Sequence, residues 1–394
     1  MIYLLWVTHS IKILKKFKKT AALIHLWLGL ISGVVITIVA ITGCIYVFEE
    51  ELFNFFHQDI VYTKAAGKPL PLYILEDKAQ KALPADEKFN RVEVKSDRYA
   101  YIFSASKVNK KTKSIFYLGQ VAYSKEVYID QFSGKVLGVI DLKHEFFSIV
   151  RLIHQYLLFK KPIGSLIVGS SVLLFLVIII TGFIIWLPKK LKNIRQRLTV
   201  KWNARFKRLN WDLHSTFGFY VIPFALVIVI TGLVWSFKWW ELGIYKSLGT
   251  PKKPNLLREY VQFPAEHKTR LASNLALNTL IRLNKGNYEA ILLNYPEEKK
   301  ASMMATVQII HSGDAWRGLS YFYFNPNTGL LTDQMLHQHK PLGLKWRNSN
   351  LDIHDGGLLG WPTKILAFLA ALIIATLPTT GFLIWWGKKK KRGF

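Results

Sequence analysis

The chain has 394 residues, of which 51% are hydrophobic, and its 53 Lys and Arg against 25 Asp and Glu give a net charge of +28. Because the apolar residues are gathered in four long blocks, this composition excludes an ordinary soluble globular protein. The basic residues abut those blocks, which favours contact with anionic lipid and excludes a nucleic-acid-binding surface.

The first apolar block, residues 21–48, follows a basic N-terminal segment, residues 1–20. A span of roughly 20 residues crosses a hydrocarbon core of about 30 Å, so this block predicts a transmembrane helix. It is too long for a signal peptide and lacks a small-residue cleavage site. Further transmembrane helices are predicted at 162–187, at 211–237 and, together with an interfacial segment, at 354–386.

The short basic segments predict the orientation of the four helices. Residues 1–20 carry five Lys, the loop 188–210 carries nine Lys or Arg, and the tail 387–394 carries five more. Excess Lys and Arg in short loops marks the cytoplasmic side. Both termini and the central loop are therefore predicted inside, and the long segments 49–145 and 238–353 outside.

Each external segment has the pattern of a small α+β domain. A helix is predicted near 71–83 in the first and near 271–284 in the second, and each is followed by alternating and aromatic strands. "DQFSGKVLG" and "NPNTGLLTD" occupy the same place in the two segments, as hairpin turns whose glycine is free to take positive φ.

The four apolar blocks contain an internal repeat. The recurring residues are, in pairs, His25 and His214, Gly29 and Gly218, Thr42–Gly43 and Thr231–Gly232, His154 and His354, Pro162 and Pro362, and Thr181–Gly182 and Thr380–Gly381. The offsets are 189 residues for the first and third blocks and 199 or 200 for the second and fourth. The sequence thus predicts two tandem parallel halves related by an axis along the membrane normal.

The repeated histidines suggest a haem protein. Pseudo-twofold symmetry should bring His25 toward His214, and should bring His154, in a predicted interfacial helical segment (146–161), toward His354. Two facing imidazoles suit bis-histidine haem iron better than a bare metal ion. Because no C-x-x-C-H motif exists, such a haem would be non-covalent. The alternative is that each histidine is an interfacial or helix-capping residue.

These motifs resemble the PepSY-associated transmembrane proteins. The resemblance covers about residues 20–390 and is carried by "HLWLGLISG", "HQYL", "TGFIIW", "DLHSTFGFY" and "DIHDGGLLGWP". The external segments look like PepSY domains, because "DQFSGKVLG" is close to the usual Asp-x-x-Ser/Thr-Gly turn. The second departs from that pattern, with Asn325 where the family often has Asp.

The resemblance implies a function and a location. Members of the family include iron-regulated bacterial inner-membrane proteins that behave as ferric-siderophore reductases carrying haem. For this chain the resemblance implies two b-type haems, with His25, His154, His214 and His354 as ligands, and one-electron reduction of chelated Fe(III) outside the membrane. No dinucleotide-binding fingerprint is present, so a separate cytoplasmic reductase or a quinol is the expected electron donor.

Other functions remain open at this point. PepSY domains could bind and regulate an external partner, as a sensory or chaperone-like module without redox activity. A transporter subunit is a third candidate, although such proteins usually carry ionisable residues at mid-membrane. Trp316, Arg317, Tyr321 and Tyr323 form a candidate substrate surface of aromatic and basic side chains, unless the tyrosines pack within their strand.

Overall fold

A computed structural model describes the protein in two compact units. The described residues are 2–64, 67–95, 98–109, 111–188, 191–250, 254–256, 271–296, 302–310 and 312–389. The helical unit comprises Met1–Phe48, Val150–Glu241 and Leu351–Phe394. The sheet unit comprises Glu49–Ile149 and Leu242–Asn350. Residues 390–394 of the predicted basic tail lie outside the described residues.

The helices vary in length from a single turn to the 45 residues of the longest one. In chain order they are α1 (Ile2–Tyr46), α2 (Glu49–Phe56), α3 (Gln58–Val61), α4 (Leu72–Lys81), α5 (Phe146–Tyr156), α6 (Lys161–Trp186), α7 (Ile194–Arg197), α8 (Phe206–Asp212), α9 (Gly218–Tyr220), α10 (Ile222–Ser236), α11 (Lys238–Ser247), α12 (Ala272–Asn284), α13 (Leu342–Asp355) and α14 (Trp361–Lys389). Short 3₁₀ helices cover Leu191–Asn193, His337–His339 and Gly357–Leu359, and a π-helix covers Leu213–Phe217.

Three helices of the helical unit are long and apolar enough to cross a membrane. They are α1 over Lys15–Tyr46, α6 and α14. The segments Phe206–Tyr220 and Ile222–Ser236 would make a fourth span if they act together, but they are bent by 62°. Within the part of the chain that the structure describes, there are therefore three candidate spans, or four if the bent pair counts as one.

The third predicted helix is broken rather than continuous over 211–237. A π-helix interrupts it after Asp212, and Pro223 lies in the first turn of α10. Proline lacks the N–H that would continue the hydrogen-bond ladder, which accounts for the restart of the helix at α10. In the N-terminal segment, α1 begins at Ile2 and runs on into the first apolar block.

Small side chains allow the helices of this unit to pack closely. α1 packs against α6 and α14, and α10 packs against the same two helices. Their shared core includes the buried residues Ala40, Ala225, Ala370 and Ala375. Small residues let membrane helices approach one another, so this composition fits a tightly packed bundle.

The described residues of the sheet unit form eight strands in one antiparallel sheet. The strands are β1 (Arg91–Lys95), β2 (Tyr101–Val108), β3 (Val121–Ile129), β4 (Val136–Asp141), β5 (Ala290–Asn294), β6 (Met303–Gln308), β7 (Leu319–Phe324) and β8 (Leu331–Met335). Their order is β4-β3-β2-β1-β5-β6-β7-β8. From the central β1–β5 pair outward, each half of the sheet therefore follows the order of its strands in the chain. Helices α4 and α12 supply Leu75 and Leu280 to the buried core on one face of the sheet.

The two predicted external domains therefore form a single sheet. The elements themselves lie where the sequence predicted them, and Gly134 and Gly329 take the predicted positive φ of 69° and 73° in their turns. The pairing of β1 with β5 over five residues joins the two four-stranded halves. Two separate domains at 49–145 and 238–353 are thus replaced by one unit built from both segments.

Candidate functional site

Each of the four repeated histidines packs against one of the four Thr-Gly pairs. His25 lies on Thr181–Gly182 of α6, and His154 of α5 lies on Thr42–Gly43 of α1. In the second half of the sequence, His214 lies on Thr380–Gly381 of α14, and His354 of α13 lies on Thr231–Gly232 of α10. The recurring Thr-Gly motif is therefore a histidine-binding element.

In the first half of the sequence, the nearest partner of each imidazole Nδ1 is a backbone carbonyl. Nδ1 of His25 lies 3.1 Å from the carbonyl oxygen of Ile178 and 3.3 Å from Oγ1 of Thr181. Nδ1 of His154 lies 2.8 Å from the carbonyl oxygen of Val39 and 3.4 Å from Oγ1 of Thr42. Each carbonyl belongs to the residue three positions before the threonine.

In the second half the threonine hydroxyl is in close contact. Nδ1 of His214 lies 2.9 Å from Oγ1 of Thr380, and Nδ1 of His354 lies 2.9 Å from Oγ1 of Thr231. The carbonyls three residues before these threonines, those of Leu377 and Ile228, lie near the same two imidazoles. All four imidazoles therefore meet the same pair of acceptors.

These contacts favour the same tautomer in all four histidines. For His25 and His154 the nearest partner of Nδ1 is a carbonyl oxygen, which only accepts, so Nδ1 carries the proton. For His214 and His354, Nδ1 donates to the threonine hydroxyl when that hydroxyl gives its own proton to a carbonyl of its helix, as Thr231 does at 2.6 Å. Nε2 is then deprotonated, with a lone pair that can bind a metal.

The glycine of each pair makes space for the imidazole ring. A Cβ added to Gly182 would lie 3.0 Å from Cε1 of His25, and one added to Gly43 would lie 3.1 Å from Cε1 of His154. The corresponding distances are 3.2 Å for Gly232 and His354 and 3.1 Å for Gly381 and His214. A side chain at these positions would push the imidazole out of place.

The histidines meet across the bundle in two pairs. The ring centroids of His25 and His214 are 6.2 Å apart with an interplanar angle of 89°. Those of His154 and His354 are also 6.2 Å apart, at 70°. The sequence repeat predicted both pairings, and the structure brings together the same residues. Whether they bind haem remains a prediction.

The chain matches one protein family over most of its length. The model of the PepSY-associated TM region covers residues 22–388, which include all four histidines and all four Thr-Gly pairs. The chain belongs to the PepSY-associated TM family. The resemblance noted from the sequence motifs is thereby confirmed, whereas the chain has no significant match among curated proteins.

The distance between the facing histidines of this PepSY-associated TM protein suits a metal held between two imidazoles. Metal–imidazole bonds of about 2.0 Å, and about 1 Å from each nitrogen to its ring centre, would place two centroids about 6 Å apart. Within the described residues, no group of three or more His, Cys, Asp or Glu side chains could hold a metal ion. A haem brings its remaining iron ligands in its porphyrin, so the two imidazoles of a pair would be enough to hold one.

A mostly apolar cleft lies beside the second pair. His154 and His354 line it together with Gly43, Gly232 and Trp235, and the remaining lining is mostly aliphatic. Its cavity volume is about 150 Å³. The indole of Trp235 packs edge-on to His354, with ring centroids 5.3 Å apart.

The His25–His214 pair has its own additional support. His214 lies in the π-helix, a distortion that often occurs at functional sites. The buried Asn210 donates from Nδ2 to the carbonyl oxygen of Thr380 at 3.1 Å, next to the hydroxyl that contacts His214. Ala21 stands at the repeat position of Asn210. No repeat could therefore have identified Asn210 from the sequence.

Two of the four residues of the predicted substrate surface are buried. Tyr321 and Tyr323 are buried on β7, at 6% and 1% exposure, and Tyr321 donates to Oδ1 of Asn348 at 2.7 Å. They are packing residues of a strand that is buried on both faces. Arg317 donates from its guanidinium to Gln308, and with Trp316 it is only partly buried. These two residues remain the predicted substrate contacts.

The sequence did not reveal that the threonines and glycines contact the histidines. Their repetition was visible, with one Thr-Gly pair for each repeated histidine. Each histidine contacts a Thr-Gly pair on a different helix. The spacing of residues in the sequence does not specify which end of that helix lies next to the histidine. The count of four pairs for four histidines was the signal that could have connected them.

Proposed function

We propose that the protein is a haem-containing membrane reductase that passes electrons from the cytoplasmic side to chelated Fe(III), such as a ferric siderophore, outside the membrane. The observation that carries the proposal is the presence of two facing histidine pairs. Both have the same centroid distance, and in all four residues Nδ1 is engaged and Nε2 is left for a metal.

The spacing of the two pairs suits transfer across a bilayer. His25 and the Thr42–Gly43 pair that contacts His154 both lie on α1, 17 residues apart. At about 1.5 Å per residue they are separated by about 26 Å along the helix, close to the thickness of a hydrocarbon core. We infer that one pair lies near each face, with four spans in two parallel repeats and both termini in the cytoplasm.

Open space beside the first pair supports a flat ligand there. Gly29 follows His25 by one turn on the same helix face, and a Cβ at Gly29 would meet no other atom within 4 Å. Gly29→Ala should raise helix propensity and leave the fold intact. Loss of haem from this variant alone would place the porphyrin against α1.

The residues of the chain have simple roles in this proposal. The four histidines would hold two b-type haems, which supply one-electron Fe(III)/Fe(II) transfer when bound. Thr-Gly pairs orient the imidazoles, and the apolar helices exclude water. Electrons would enter from a cytoplasmic reductase or a quinol. Each electron would reduce one substrate Fe(III) to Fe(II), which siderophores hold less tightly.

Absorption spectra of the purified protein test the proposal. The oxidised protein should show a Soret band that shifts on reduction with dithionite, with about two haems per chain by pyridine haemochrome assay. The reduced protein should be reoxidised by a ferric siderophore. A colourless protein that binds an external protein partner would instead support the regulatory function of a PepSY module.

The orientation has its own test. Tags at both termini and in the loop 188–210 should be protected from protease in intact cells, and tags in the sheet unit should be cleaved. A cleaved C-terminal tag would reverse the side assigned to each pair of histidines.

A further inference from the structure

Two short helices present apolar side chains to the outside of the protein. On α2, Leu52, Phe55 and Phe56 are 37%, 68% and 66% exposed, although Phe53 between them packs on Tyr128 and Phe147. Because residues 52, 55 and 56 share one helix face, the exposed side chains form a continuous surface.

Helix α11, in the second half of the sequence, also exposes apolar side chains. Trp239 and Leu242, spaced by three residues, are 58% and 36% exposed. Another face of α11 carries Glu241 and Tyr245, which are both buried. A single exposed apolar residue is ordinary, but groups of exposed aromatic and aliphatic side chains on one face of each of two helices mark a contact surface.

The chain places both helices next to the ends of candidate spans. α2 begins three residues after the last residue of α1, and α11 begins two residues after the last residue of α10. A chain extends by at most about 3.5 Å per residue, so each helix starts within about 10 Å of the end of a transmembrane helix. Aromatic side chains are enriched at that depth of a membrane.

We propose that α2 and α11 are membrane-surface helices of the extracytoplasmic leaflet. Leu52, Phe55 and Phe56 of α2, and Trp239 and Leu242 of α11, insert at the boundary between head groups and acyl chains, where amphipathic helices bind lipid. The inward faces remain packed on the protein. The beginning of each long external segment is thereby held at the lipid surface. This inference does not depend on haem, so its failure would leave the proposed function standing.

Spin labels test the proposal because the chain has one cysteine, the buried Cys44. In a Cys44→Ala background, Phe55→Cys, Phe56→Cys and Trp239→Cys would each carry a nitroxide in phosphatidylcholine vesicles. Thr332→Cys, on the exposed edge strand β8, is the matched control. Collisions with oxygen, which partitions into lipid, are compared with collisions with a water-soluble nickel chelate.

We expect the ratio of oxygen to nickel collisions to be several-fold higher at positions 55, 56 and 239 than at 332. Equal ratios at all four positions would overturn the proposal. Spin–spin broadening that disappears on dilution with unlabelled protein would also overturn it, because a second copy of the chain would then cover these faces. Unchanged thermal unfolding of each labelled variant ensures that the labels report on folded protein.

Discussion

The first and second halves of the sequence hold their histidines with the same residues but in different ways. For His25 and His154 the nearest acceptor is a carbonyl, at 3.1 and 2.8 Å, with the threonine hydroxyl at 3.3 and 3.4 Å. For His214 and His354 the hydroxyl itself is at 2.9 Å. Each facing pair therefore joins one histidine of each kind.

The backbone around the histidines differs between the two halves even more than the hydrogen bonds do. His25 lies within the uninterrupted helix α1, whereas His214 lies in a π-helix within a bent segment. The centroid distances of the two pairs are nevertheless equal. We infer that the position of the imidazole is what the fold preserves, and that the helices have diverged around it.

Removal of a histidine should have the largest effect. We expect His25→Ala or His214→Ala to lower haem content from about two per chain to about one, since either change breaks the same centre. The double variant should lose no more than either single variant, whereas His25→Ala with His154→Ala should lose both haems. His144→Ala, at an exposed ion pair, is the control.

Four independent and additive losses in the haemochrome assay would refute the pairing. So would full haem retention in the His25→Ala or the His214→Ala variant.

Replacement of the threonines should separate the two halves. Thr231→Val and Thr380→Val remove the close hydroxyl and should weaken haem binding by about 10–100-fold, as loss of a histidine's supporting contact commonly does. Thr42→Val and Thr181→Val should have a smaller effect, because the nearest acceptor of His154 and His25 is a backbone carbonyl, which these changes leave in place. Transfer of haem to an excess of an apoglobin would measure the difference.

Thr376→Val is the matched control on α14. Its hydroxyl bonds only the carbonyl of Ile373 at 2.8 Å, on an exposed face of the helix. Equal losses in all four threonine variants would show that the two halves do not differ.

Enlargement of the glycines should have a moderate effect that is similar in both halves. Gly182→Ala and Gly381→Ala place a Cβ at 3.0 and 3.1 Å from an imidazole carbon, so the ring must move by a few tenths of an ångström. We expect a changed reduction potential with most haem retained. Gly387→Ala, where a Cβ meets nothing within 4 Å, should leave the potential unchanged. A potential unaffected by either variant would show that the imidazoles tolerate the displacement.

The smallest effect concerns two lysines of the sheet unit. Nζ of Lys143 donates to the carbonyl of Val121, the first residue of β3, and Nζ of Lys340 donates to that of Leu319, the first residue of β7. Only Lys340 is buried, with Nζ 3.5 Å from the ring centroid of Tyr321. Burial lowers the pKa of Lys340 to about 7.

This pKa predicts a pH dependence of stability. The unfolded chain, in which a lysine has a pKa of about 10.4, binds the extra proton between pH 7 and 10, so the free energy of unfolding should rise with pH over that range. Lys340→Met should remove this rise, and Lys143→Met should preserve it. Thermal unfolding at pH 7 and 9.5 would show the difference, and identical slopes in the two variants would contradict the prediction.

Much of the fold could be read from the sequence because its signals are local. Strand alternation and turn glycines located the strands, and hydropathy located the apolar helices. The bend before α10 was missed because its cause is spread over a π-helix and Pro223. The joining of the external segments was missed because β1 and β5 are far apart in the chain, and no local pattern specifies their pairing.

The sequence predicted the histidines of the candidate site and their pairing. It did not predict the threonine and glycine residues that contact them. Matched offsets were enough to pair His25 with His214 and His154 with His354. The contact between His25 and Thr181 depends on how α1 packs against α6, which the sequence does not state. The burial of Tyr321 was equally hidden, since its strand packs on both faces and alternation then cannot distinguish inside from outside.

The β1–β5 pairing also constrains the order in which the protein can be made. Arg91 and Asn294, whose side chains bond at 3.0 Å across these strands, are 203 residues apart. The edge of β1 that pairs with β5 therefore stays unpaired while α6, α10 and the residues between them are synthesised. Pairing at such a sequence separation closes slowly, so the sheet is completed late. During that interval, the waiting edge is the part of the nascent chain most open to a chaperone or to a second copy.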